Sequence, residues 1–159
     1  MSPLHHWLSE PGFFGSGAAR GSDLLLVGLL ALITLVGLGL RAARRGQFRR
    51  HAAFMGSASL ILPLVVVIFT GWTKAGGPRG GRPTAPDLMG LHLSLATLGL
   101  AVMPLAVGLG LAALHYREGR GRNARWPRRH RIVGYLVATL LGATALTGIL
   151  VYAGRYLVR

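Results

Sequence analysis

Four long apolar blocks separated by clusters of arginine leave this chain few folds to choose from. The blocks run over about 23–41, 51–71, 91–115 and 131–154, and none carries an ionised residue in its middle. Each is close to the roughly 20 residues that a helix needs to cross a hydrocarbon core. Inside hydrocarbon the backbone must satisfy its own hydrogen bonds, which leaves helices as the economical choice for blocks of this length. The sequence therefore predicts an all-α integral membrane four-helix bundle. The net charge of +14 over 159 residues would suggest nucleic acid if the chain were soluble. Here the charges lie between the apolar blocks, which is where a bilayer would confine them, so no nucleic-acid partner is expected.

The arginines also give the blocks a direction. Residues 41–50 hold Arg41, Arg44, Arg45, Arg49 and Arg50, and residues 115–131 hold seven more, together two-thirds of the chain's 18 Lys and Arg. The positive-inside rule puts both of these loops in the cytoplasm and both termini outside, in a multi-pass protein of the plasma (inner) membrane. Residues 1–22 then form an extracytoplasmic segment ahead of a membrane domain at 23–159. That segment lacks a basic stretch followed by an apolar run, so no cleaved signal peptide is expected. The basic loops suit anionic lipid headgroups. The glycine- and proline-rich stretch Trp72–Asp87 reads as a flexible outer connector. Trp72, Trp126, Tyr116, Tyr152 and Tyr156 fall near the block ends, as an interfacial aromatic belt would.

Most catalytic chemistry is missing from the residues. There are no cysteines, which excludes disulfides, thiolate metal sites and covalent c-type haem attachment. No acid lies in the middle of a span, no Asp/Glu pair is placed for acid–base work, and no glycine-rich phosphate loop follows a strand. No enzymatic activity is expected.

The two halves resemble each other. Val36-Gly37-Leu38-Gly39-Leu40 recurs as Val107-Gly108-Leu109-Gly110-Leu111, and Arg49-Arg50-His51 recurs as Arg128-Arg129-His130. Two duplicated hairpins would place His51 and His130 opposite each other across a pseudo-twofold axis along the membrane normal, although short repeats also arise by chance in glycine- and leucine-rich helices. Gly56, Ser57 and Ser59 in the second block, with Gly134, Gly142, Gly148, Thr144 and Thr147 in the fourth, suit close helix packing. Pro63 and Pro104 are expected to kink their helices. Paired kinks can make room for a planar cofactor, but kinks without a ligand are commoner.

Six histidines remain as the plausible chemistry. His51, His115 and His130 gather at the cytoplasmic end, and His92 begins the third block at the outer end. His5 and His6 lie in the N-terminal segment. Neutral imidazole ligates haem iron, copper and zinc, and helical bundles commonly hold cofactors between histidines on facing helices. The plain alternative is that these are boundary residues beside arginines. For His92, which starts an apolar helix, burial would demand a hydrogen-bond partner or a metal.

The order His51-x3-Met55, Leu91-His92, Met103-Pro104-Leu105, His130-Arg131 and Thr147-Gly148-Ile149-Leu150-Val151-Tyr152 resembles the YozB-type family of small four-helix membrane proteins, domain of unknown function 420. The likeness spans His51 to Tyr152. It departs from the family where a tyrosine is expected near the end of the second helix, with Phe69 nearby, and where an aromatic-rich fourth helix is represented by Tyr135. The resemblance implies association with haem-copper terminal oxidases of a respiratory chain, as an accessory subunit or maturation factor. It singles out His51, His92 and His130 as metal-ligating positions and does not support His115. A fainter likeness to four-helix b-type cytochromes rests on histidines at helix ends. Three readings stand: an oxidase accessory or assembly protein that binds haem b or copper through His51, His92, His115 or His130; a b-type cytochrome exchanging electrons with quinone; and a cofactor-free structural subunit.

Overall fold

The computed structural model describes residues 3–74, 85–119 and 125–157. It is the all-α membrane bundle that the apolar blocks predict. A short helix α1 (Pro3–Ser9) precedes four long ones: α2 (Arg20–Arg44), α3 (Phe48–Lys74), α4 (Pro86–Arg117) and α5 (Arg125–Tyr156). All four long helices are of a length and composition to cross a membrane. Each outruns its apolar block by two to six residues at either end. Hydropathy marks only the part of a helix suited to hydrocarbon, whereas helical hydrogen bonding continues through flanking arginines. Two glycines with positive φ, Gly46 (71°) and Gly119 (76°), close α2 and α4 in the left-handed geometry that a side chain resists. Most of the expected connector Trp72–Asp87 lies outside the described residues, as does 120–124 of the second basic loop.

The helices pair as two hairpins. Helices α2 and α3 pack along each other, as do α4 and α5, and α2 against α5 joins the hairpins; α3 and α4 touch least. The central core is Leu32, Val36, Ala58, Leu62, Met103, Ala106, Val137 and Leu141. Pro63 and Pro104 sit on exposed faces of helices that run on through them.

The N-terminal segment forms a cap on the end opposite the arginines. Pro11 and Ala19 form an antiparallel bridge, Gly15 and Gly17 turn the chain with φ of 64° and 75°, and Glu10 pairs with Arg20. The cap is fastened to Asp23, which is fully buried. Its carboxylate accepts the N–H of Phe13 (2.6 Å) and Phe14 (3.1 Å) and the hydroxyl of Tyr152 (2.6 Å). Ser16 and Ser22 hydrogen-bond Tyr152 and Tyr156. Trp72 is 2% exposed, packed with Leu8 and Ala19. Trp72 and Tyr152 are therefore buried residues and not members of an interfacial belt. Periodicity placed them at a boundary, and a segment folded over that boundary buries them.

Candidate functional site

Among the described residues nothing plugs the arginine-rich end in this way. A cavity of about 440 Å³ opens between the hairpins, lined from α2, α3, α4 and α5. Leu40, Met55, Met103, Val137 and Leu141 make its walls apolar, and Arg44, Arg117 and Arg131 line it as well. The space comes from small side chains. Ala52, Gly56 and Ser59 recur at helical spacing on α3 and all line it. A Cβ placed on Gly56 would meet nothing within 4 Å. The small residues of α3 thus hollow the bundle where close packing was expected, and neither helix proline lines the space.

His51 and His130 both line this cavity, one from each hairpin. The Nδ1 of His51 lies 2.9 Å from the carbonyl of Gly39, and that of His130 lies 3.2 Å from the carbonyl of Ala106. A carbonyl can only accept, so in a neutral ring each Nδ1 carries the proton and each Nε2 keeps its lone pair. A backbone carbonyl on Nδ1–H is the outer-shell partner that fixes the ring of a metal-ligating histidine. The two ring centroids are 5.9 Å apart with the planes at 66°. Two imidazoles sharing one metal at about 2 Å per nitrogen have centroids roughly 6 Å apart. The separation fits one shared metal atom.

The other candidates fall elsewhere. His115 is exposed and does not line the cavity. His92 is on α4 18 residues before Gly110, the residue under the His130 ring, which is about 27 Å along a helix. It therefore does not join His51 and His130. Its Nδ1 lies 3.1 Å from both the Thr144 carbonyl and Thr147 Oγ1. Thr147 donates its own proton to helix carbonyls, so its oxygen is free to accept from His92. The partner that burial of His92 demanded is thus on α5. Thr144 Oγ1 is buried nearby with no partner among the described residues. His6 pairs with Glu10 in the cap, 3.3 Å away. No cluster of three or more His, Asp or Glu able to hold a metal occurs among the described residues.

A regularity that motif reading overlooks ties His92 to His130. A Cβ on Gly110 would lie 3.0 Å from Cε1 of His130, and one on Gly148 would lie 2.9 Å from Cε1 of His92. Each histidine hydrogen-bonds the carbonyl four residues before the glycine it faces, Ala106 and Thr144 respectively. The antiparallel pair α4·α5 is thus built reciprocally, and its signature is the equal interval His92–Gly110 and His130–Gly148. By contrast, the proposed hairpin repeat is inexact. His51 bonds Gly39, which aligns with Gly110, whereas His130 bonds Ala106 one turn earlier.

No protein-family model, no curated protein and no solved structure matches this chain.

Proposed function

We propose that this chain is a haem-handling membrane protein, in which His51 and His130 would hold the haem, and that it serves a haem-copper terminal oxidase as a maturation factor or small accessory subunit. The observation that carries this reading is the pair of imidazoles from opposite hairpins, 5.9 Å apart, each tautomer-fixed by a helix carbonyl inside an apolar cavity. The volume falls in the 300–1,000 Å³ range of cofactor sites. Charge favours haem over a bare divalent ion. Three arginines and no carboxylate line the cavity, which repels a free cation and suits the two propionates of a haem. When bound, haem would supply a one-electron iron centre. The chain's own part is to present two Nε2 lone pairs, to keep water out with its apolar walls, and to neutralise carboxylates at Arg44, Arg117 and Arg131.

The motif likeness to YozB-type proteins supports the link to respiratory oxidases. The arginine distribution supports a plasma-membrane protein with this cavity towards the cytoplasm. A second reading has one observation in its favour: Met55 and Met103 line the same cavity, and thioether with imidazole suits Cu(I).

The test is purification after expression with ample haem. The expected result is a Soret band with one haem per chain, lost in both His51→Ala and His130→Ala and kept in His115→Ala. Stoichiometric copper without a Soret band would favour the second reading. Neither cofactor would overturn both. Reduction of the bound haem by a quinol would move the protein from maturation to electron transfer, as a b-type cytochrome.

A further inference from the structure

We infer that the cavity is loaded sideways from the membrane, through a portal between α3 and α4, by a bilayer-dissolved anionic amphiphile of the haem class. The inference rests on the haem reading for the class of ligand and on separate observations for the route.

The water-facing side of the α3–α4 seam is closed. The guanidinium of Arg117, at the end of α4, stacks 3.8 Å from the centre of the Phe48 ring at the start of α3. Beside it Arg49 pairs with Glu118 at 3.5 Å. These contacts latch the first turn of α3 to the last turn of α4. Deeper in, Gly56, Val107 and Leu111 line the cavity and are also exposed, Val107 by 39% and Leu111 by 63%. Gly56 lies about 12 Å further along α3 than Phe48, and Val107 about 15 Å further along α4 than Arg117, at 1.5 Å per residue. That depth faces hydrocarbon, not water. Of the four neighbouring pairs of long helices, α3 and α4 pack least, so this seam is the weak side of the bundle.

The chemistry of the opening selects what can use it. An apolar, uncharged gap admits a flat or chain-like apolar body dissolved in the leaflet. Arg44 and Arg117, where the cavity meets the latch, then capture acidic groups that stay near the headgroups, as propionates do. His51 and His130 wait at the same level. A free metal ion has no reason to take this path through hydrocarbon.

The absence of cysteine makes the route testable. Gly56→Cys and Val107→Cys are combined in one chain, joined by a reducible thiol-reactive linker, and reconstituted in phosphatidylcholine vesicles preloaded with haemin. The expected result is loss of Soret-band uptake in the linked protein and recovery when the linker is reduced. A single plug, Gly56→Trp, should slow uptake without any linker. Uptake that stays equally fast with α3 and α4 linked and with the plug in place would overturn the portal. If the unlinked double variant and the parent both fail to take up haemin, the haem reading itself has failed and the ligand class falls with it. Phospholipid that co-purifies in the cavity and is not displaced by haemin would overturn the assignment of the ligand.

Discussion

The two ends of this bundle are built on opposite plans. At the capped end Leu8, Ala19 and Trp72 form a second core and the one buried acid has three donors. At the arginine end the helices carry small residues, leave about 440 Å³ unfilled, and line it with two histidines whose Nδ1 atoms are held by carbonyls. Stability is concentrated where nothing needs to bind, and room is left where something does. A bundle of four helices has few contacts to spare, so closing one end firmly lets the other stay open.

Substitutions at the two ends should therefore separate folding from binding. The largest loss of stability is expected from Trp72→Ala, which empties the space between Leu8, Ala19 and the backbone at Gly21. About 3–5 kcal/mol is expected from such a truncation, read as a fall in the midpoint of thermal unfolding in detergent. Haem binding by the protein still folded should be unchanged. Loss of binding in a folded Trp72→Ala protein would show that the ends are not independent.

Next comes Asp23→Ala, which leaves two part-buried N–H groups and the Tyr152 hydroxyl without their acceptor. A cost of about 1–3 kcal/mol follows from donors left unpaired. The cap should loosen with it, so that trypsin cuts after Arg20 faster than in the parent. Unchanged cleavage would mean that the Pro11–Ala19 bridge and the Glu10–Arg20 pair hold the cap unaided.

The reciprocal glycines give a sharper comparison. Gly110→Val and Gly148→Val each push a side chain into a histidine ring and should each cost about 1–3 kcal/mol by overpacking. Gly148→Val should cost the more of the two, because a Cβ there also meets Leu29 Cδ1 at 2.6 Å. Only Gly110→Val should also weaken haem binding, since only His130 faces the cavity. Equal effects on binding would place a second ligand position at His92.

The smallest effects on stability belong to the ligand candidates. His51→Ala and His130→Ala each remove one hydrogen bond to a carbonyl that keeps its helical partner, a loss of about 1 kcal/mol or less. Both should still abolish the Soret band. An unfolded His51→Ala protein would recast the pair as structural.

Part of the site was legible without coordinates. Arg49-Arg50-His51 and Arg128-Arg129-His130 mark both cavity histidines, because each opens a helix beside a charge cluster that hydropathy locates. His115 closes a helix beside the same kind of charge cluster and is exposed. Its exclusion depends on the rotation of α4 about its axis, which an almost uniformly apolar helix does not encode in its pattern. Gly56 reads as a packing residue by every local criterion, yet it borders empty space where α3 and α4 touch little. The histidine–glycine reciprocity is written in the chain as two equal intervals, but an interval acquires meaning only once the antiparallel partner is known.

The sequence alone determined the number of spans, their lengths, the sidedness of charge and the absence of thiol chemistry. Each is a property of residues taken in order, and the transfer of a residue between water and hydrocarbon does not depend on its neighbours across the bundle. Tertiary structure alone decided that residues 3–19 cap the bundle, that Trp72 is core, that His51 meets His130 and not His92, and that α3 packs little against α4. Those outcomes depend on which helix faces are brought together and how closely, and in this chain glycines opposite bulky rings set that distance.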